Sequence, residues 1–150
     1  MTAHIFHLAI SRGGVPKRAA AEALVDKLGL EGDKQKHLKI HGGPDRAVCI
    51  FSLEVMQALQ AEGHPIYPGS TGENILISGL DWSALQIGVR LALGPEAVIE
   101  LTRTTTPCKQ IAASFADRDF NHLGRPGQMR WYARVLAEGV VRPAMPVRVL

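Results

Sequence analysis

The short apolar run His4–Ile10 predicts a first strand, closed by the turn Arg12-Gly13-Gly14. Residues 19–28 are rich in Ala and Leu and stop at Gly29, so local propensity predicts a helix there. Gly29-Leu30-Glu31-Gly32-Asp33 reads as a turn, and residues 34–43 as a polar stretch. An apolar strand follows at residues 47–51, after which Ser52 is placed to cap a helix over about 53–62. Val55, Met56 and Leu59 share one face of that helix, and Gly63 ends it. The loop 64–73 is rich in Pro and Gly, and strands are predicted at 74–78, 90–93 and 97–102. After Pro107 a short helix over about 108–115 is expected, then a polar region 117–127 and closing strands at 130–136 and 147–150. About seven short strands with two or three short helices describe a mainly β fold, barrel-like rather than doubly wound.

Composition narrows this to one domain. The 150 residues are 46% hydrophobic, enough for a single core, and the 15 Gly and 9 Pro are spread along the whole length, as many tight turns require. No apolar run approaches the roughly 18 residues of a bilayer crossing, and the first basic residue, Arg12, follows the first apolar stretch rather than preceding it. Neither a membrane span nor a secretory signal is expected. The net charge of +3 is uneven: residues 1–100 carry 9 Lys and Arg against 11 Asp and Glu, while residues 101–150 carry 8 against 3. A basic C-terminal third attracts anions. The eight aromatic residues are scattered without basic interleaving, which argues against a nucleic-acid partner.

Two cysteines are too few for a disulfide framework and suit a reducing, cytoplasmic setting. Cys49 lies in Ala47-Val48-Cys49-Ile50-Phe51 and reads as a small buried hydrophobe. Cys108 lies in Thr104-Thr105-Thr106-Pro107-Cys108-Lys109, where a helix start, Lys109 and Arg103 would all favour the thiolate. Such a thiolate attacks sulfur, carries a persulfide or binds a soft metal; the alternative is an inert cysteine at a strand-to-helix junction.

Two loops add candidates. In His41-Gly42-Gly43-Pro44-Asp45-Arg46 the glycines permit close backbone approach, His41 and Arg46 can bind an anion, and Asp45 can orient either. A plain surface turn is the competing reading. In Pro68-Gly69-Ser70-Thr71-Gly72-Glu73-Asn74 the Glu73 carboxylate and Asn74 amide can secure backbone or ligand groups, with a structural role favoured over catalysis. That loop lacks the Gly-Lys-Ser/Thr ending of a phosphate-binding P-loop. A zinc site from His4 with His7, or His37 with His41, is disfavoured: strand alternation separates the first pair, and Gly42-Gly43-Pro44 opposes a helix under the second.

Taken in order, Gly29-Leu30-Glu31-Gly32-Asp33, His41-Gly42-Gly43-Pro44-Asp45-Arg46-Ala47-Val48, Gly69 with Gly72-Glu73-Asn74, Leu85-Gln86-Ile87-Gly88, Thr106-Pro107-Cys108 and Tyr132-Ala133-Arg134-Val135-Leu136 resemble a stand-alone MOSC domain, the module named for the C-terminal part of molybdenum cofactor sulfurases. The resemblance covers nearly the whole chain. It implies a closed or partly open β-barrel and a strand within residues 19–28, against local propensity. It also implies that Cys108 is the reactive residue, ligating or sulfurating molybdenum, with His41, Arg46, Arg103 and Lys109 lining an anionic pterin pocket to which Glu73 and Asn74 contribute. Two departures stand out: Val89-Arg90 and Ala144-Met145 replace usual Gly-Asp turns. No pyridoxal-phosphate site is expected in this chain.

Three functions follow as expectations. One is a domain that binds molybdenum cofactor and ligates or sulfurates the metal through Cys108, as in a molybdenum-dependent reductase. Another is a metal-free sulfur carrier holding a persulfide supplied by a pyridoxal-phosphate-dependent cysteine desulfurase. The third is a module that only binds an anion. A desulfurase or a molybdoenzyme is the implied partner.

Overall fold

The computed structural model describes residues 2–33 and 43–150. Among the described residues eleven strands form: β1 His4–Ile10, β2 Arg18–Ala19, β3 Ala23–Asp26, β4 Gly29–Leu30, β5 Val48–Ser52, β6 Ile75–Ser78, β7 Arg90–Leu93, β8 Ala97–Thr104, β9 Trp131–Ala137, β10 Gly139–Val141 and β11 Val147–Val149. Helix α1 spans Leu53–Ala61, and short 3-10 turns occupy Pro44–Arg46, Trp82–Ala84, Lys109–Ser114 and Phe120–Gly124. The main sheet runs β11-β7-β8-β9-β5-β6-β1-β2, and a small sheet runs β10-β3-β4.

Strand β5 sits centrally, between β9 and β6, and every one of its five residues is buried. A continuous apolar run is what two covered faces require. Its pairing with β6 is parallel, and α1 supplies the crossover; Ser52 accepts the Val55 N–H at 3.1 Å and so caps α1 as the sequence predicts. Leu53, Met56 and Leu59 bury one face of α1, while Gly63 follows with φ +98°. The fold is thus mainly β with few short helices.

The predicted helix at 19–28 is replaced by β2 and β3. Ala23 and Val25 are buried while Leu24 is exposed, a period of two, and β3 pairs with β10 in the register Val25 to Gly139. A partner so distant in sequence is invisible to local propensity, and its pairing outweighs the modest helix preference of Ala and Leu. Gly29, expected as a helix stop, has another duty: it stands at φ +123°, where an added Cβ would lie 2.3 Å from the Ala47 carbonyl oxygen.

More strands form than the expected seven because two-residue strands and β10 carry little sequence signal. Closure into a barrel is not found among the described residues. One isolated bridge joins His4 to Pro146, with backbone bonds such as Ala144 N–H to Ile5 O at 2.7 Å. The ordered ladders nevertheless end at β11 and β2. No helix among the described residues is long and apolar enough to cross a membrane.

Candidate functional site

A cleft of about 70 Å³ is lined by residues on or beside the central strands β5 and β9 of the main sheet, and two kinds of wall enclose it. One wall comes from strands and their immediate ends: Cys49 on β5, Tyr132 on β9, Thr105 just beyond β8 and Arg130 just before β9. The Thr105 N–H donates to the Arg130 carbonyl at 2.9 Å, extending the β8–β9 pairing into the cleft. The opposite wall is loop: Val15 and Lys17 before β2, Thr71 and Gly72 before β6, and Thr106 and Cys108 after β8.

Both cysteines therefore face one cavity. Cys108 is half-buried and Cys49 is buried, and both are free thiols. Burial pushes the Cys49 thiol above its ordinary range, against the opposing pull of Arg130 and of the Thr105 hydroxyl, 3.8 Å from its sulfur. Cys49 thus has the guarded character expected of it, yet its place in the cleft was not foreseen. Cys108 stands immediately before the 3-10 turn Lys109–Ser114 and makes no capping hydrogen bond. The helix-start donors expected to activate it are not engaged by its side chain.

The cations are distributed otherwise than expected. Arg103 and Lys109 are exposed and do not line the cleft. Arg46 is half-buried outside it, with its guanidinium carbon 5.8 Å from the Tyr132 ring centroid. Tyr132 connects these groups electrostatically: burial pushes its phenol up to about 12, the Cys49 charge adds to this, and Arg130, Arg46 and Arg103 oppose it. His41 lies outside the described residues.

Two buried cations hold the places inside. Lys17, 8% exposed, reaches both Asp33 carboxylate oxygens at 2.8 Å. Arg130, 5% exposed, donates through one terminal nitrogen to the Thr71 carbonyl, while its buried Nε has no partner among the described residues. A buried, unpaired guanidinium N–H in a cleft wall is an unmet donor. Sequence reasoning missed both residues, because a lysine beside Pro16 and an arginine opening a strand resemble surface residues. The positive balance of residues 101–150 was the only signal for Arg130.

Glu73 and Asn74 do not line the cleft; they hold the backbone that does. The buried Glu73 carboxylate accepts the Gly69 N–H and the Thr71 hydroxyl, each at 3.1 Å. Burial raises its pKa, opposed by its own backbone amide, Arg130, Thr71 and Gly69. Asn74 accepts the Cys49 N–H at 3.0 Å and donates to Ala9 O at 3.3 Å and to Asp33 Oδ2 at 2.9 Å. A polar chain thus runs from the Cys49 backbone through Asn74 and Asp33 to the Lys17 ammonium. Gly69 locks the same region, since its N–H serves Glu73 and its φ of +89° places any Cβ 2.3 Å from the Lys17 carbonyl oxygen.

Chemically, the cleft offers an accessible thiol, a guarded thiol, hydroxyls from Thr105 and Thr106, and two buried cations. It suits an anion carrying a soft centre. A MOSC domain family model matches residues 37–148. The uncharacterized protein YflK of Bacillus subtilis is 32% identical over 140 residues, covering 91% of this chain and 63% of its own length. Protein YiiM of Escherichia coli is 31% identical over 134 residues, covering 86% of this chain and 59% of that protein. The chain therefore spans less than two thirds of either relative. The crystal structure of YiiM from Geobacillus stearothermophilus superposes with a TM-score of 0.80 over 99% of this chain and 75% of that one, at 23% identity, and so shares the fold.

Proposed function

The chain belongs to the MOSC domain family, and from that premise we propose that its cleft binds a molybdenum-bearing pterin cofactor with Cys108 as the protein's sulfur ligand to the metal. The observation that carries this reading is the combination, in one cleft, of an accessible cysteine with a buried arginine whose Nε is unpaired. The fit rests on donor chemistry: a thiolate is a soft ligand, and a guanidinium is the side chain best shaped for a phosphate group. Bound, the cofactor would supply oxygen- or sulfur-atom transfer and two-electron redox chemistry.

The chain's own part is positional. Arg130 would hold the anionic end, Lys17 being already paired with Asp33, with Arg46 and Arg103 proposed around the rim and His41 proposed as a further cofactor-binding residue. Thr105 and Thr106 offer hydroxyls, and Tyr132 stays protonated well above neutral pH because its phenol is pushed up to about 12. Glu73 and Asn74 keep the floor fixed. The same cleft supports a second reading, in which Cys108 carries a persulfide delivered by a cysteine desulfurase and no metal is held. The two free cysteines suit the reducing, cytoplasmic setting either reading needs.

Metal analysis of protein produced in a host that makes molybdenum cofactor separates the readings. Molybdenum should co-purify with the wild type and be lost in Cys108→Ser without change in the circular dichroism spectrum. A metal-free wild type whose Cys108 reacts as a persulfide favours the carrier. Native alkylation should modify Cys108 well before Cys49, because thiolate fraction and access control the rate; faster labelling of Cys49 would overturn both readings.

A further inference from the structure

Outside the cleft, the loop after α1, the segment that follows the 3-10 turn Lys109–Ser114, and the 3-10 turn Phe120–Gly124 bring together His64, Asp117 and His122. One donor atom from each lies within 4.8 Å of the others. The two imidazole side chains are each 8% exposed, and Asp117 is 51% exposed, so a nearly buried pair of nitrogens meets a carboxylate that faces water. None of the three lines the cleft. We propose that they form a binding site for a divalent transition-metal ion of the zinc class.

Packing fixes the imidazoles in place. Their ring centroids are 4.5 Å apart, and the Phe115 ring lies 5.5 Å from His64 and 5.2 Å from His122. His122 Nε2 is 2.8 Å from Asp117 Oδ2, while its Nδ1 is buried with no partner among the described residues. Nothing therefore ties the second ring nitrogen to one protonation state, and His122 can shift its proton there when an ion takes the nitrogen facing Asp117. Two imidazoles and a carboxylate match zinc, cobalt or nickel rather than magnesium or calcium, which prefer all-oxygen shells.

An ion must displace the His122 hydrogen bond to Asp117 and one contact of His64: the Ala116 N–H that donates to its Nδ1 at 3.2 Å, or the exposed Glu62 carboxylate 3.6 Å from its Nε2. Both Ala116 and Asp117 are exposed, so water can replace what they lose. Bonds of about 2.1 Å put tetrahedral ligand atoms about 3.4 Å apart. For the carboxylate, reaching that spacing requires only a movement of the exposed Asp117 side chain. Three protein ligands leave a fourth position for water.

Titration of the full-length protein with Co²⁺, followed by visible absorption, tests the site. One ion per chain should bind with ligand-field bands and no thiolate-to-cobalt charge-transfer band, and Zn²⁺ should displace it. Asp117→Asn, which keeps the shape of an exposed side chain, should weaken binding at least tenfold, and His122→Gln should abolish it. A thiolate band, affinity unchanged in both variants, or no binding in the micromolar range would overturn the proposal. Circular dichroism of both variants confirms that the losses are not unfolding.

Discussion

The strand wall and the loop wall of the cleft hold the same kinds of groups under different physical conditions. On the strand wall, Cys49 and Arg130 are buried at 4% and 5% exposure, so the thiol is held protonated and the guanidinium keeps an unmet donor. Cys108 on the loop wall stays half-buried and open to solvent. Lys17 joins the loop wall yet is as enclosed as the strand residues, because Asp33 neutralises it. Enclosure gives charge its leverage, since a partner removed from water interacts more strongly and an unpaired one costs more. A reactive group benefits from access instead.

The largest break in this arrangement should come from Asp33→Ala. It strands the Lys17 ammonium, deprives the Ser11 N–H of its acceptor and leaves the Asn74 amide with the Ala9 carbonyl alone. Removing one member of a buried ion pair costs about 3–5 kcal/mol, whereas replacing both can be neutral. Urea denaturation should therefore show a large loss in Asp33→Ala and substantial recovery in the double variant Lys17→Met with Asp33→Leu. Equal losses in the two would mean that the pair is not what holds this wall.

Next in size, Arg130→Met should cost on the order of 1.5–3 kcal/mol, the usual worth of a charged hydrogen bond, by releasing the Thr71 carbonyl. It should also remove most of the protein's affinity for inorganic phosphate. Arg103→Ala, at an exposed position, should change stability by less than about 0.5 kcal/mol. Phosphate titration of both variants by calorimetry compares buried and exposed cations directly. Stronger loss from Arg103→Ala would reverse the assignment of the anion-holding residue.

That contrast also marks how far the sequence could be read. Strands with local apolar signals, such as His4–Ile10 and Arg90–Leu93, and the Ser52 cap of α1 were legible because the causes lie within a few residues. Local propensity misread residues 19–28 because β3 depends on β10, more than a hundred residues away, whereas the family resemblance implied the strand that forms there. The same limit applied to the site. The polar turn around Cys108 identifies itself, and resemblance to the family reinforces it. Nothing local distinguishes Lys17 or Arg130 from surface cations, since their burial is created by Asp33, Thr71 and the packing of the cleft. His64, Asp117 and His122 were likewise passed over, because their spacing of 53 and 5 residues fits no metal-binding motif and only the fold unites them.

The smallest effect should come from a position remote from both walls. Ala144 stands at φ +76°, a left-handed backbone conformation, in the turn where the family resemblance leads one to expect glycine. Its N–H donates to the Ile5 carbonyl at 2.7 Å, so the hydrogen bond holds the turn despite the unfavourable Cβ. A non-glycine residue in this region costs roughly 1–2 kcal/mol, partly offset because glycine gains freedom in the unfolded chain. Ala144→Gly should then raise stability by about 0.5–1 kcal/mol in urea melts. Phosphate affinity and the alkylation rate of Cys108 should remain at wild-type values, since neither wall touches this turn. A parallel change in either would show that the sheet edge near β11 and the cleft are mechanically coupled, and that the two walls do not by themselves set the chemistry between them.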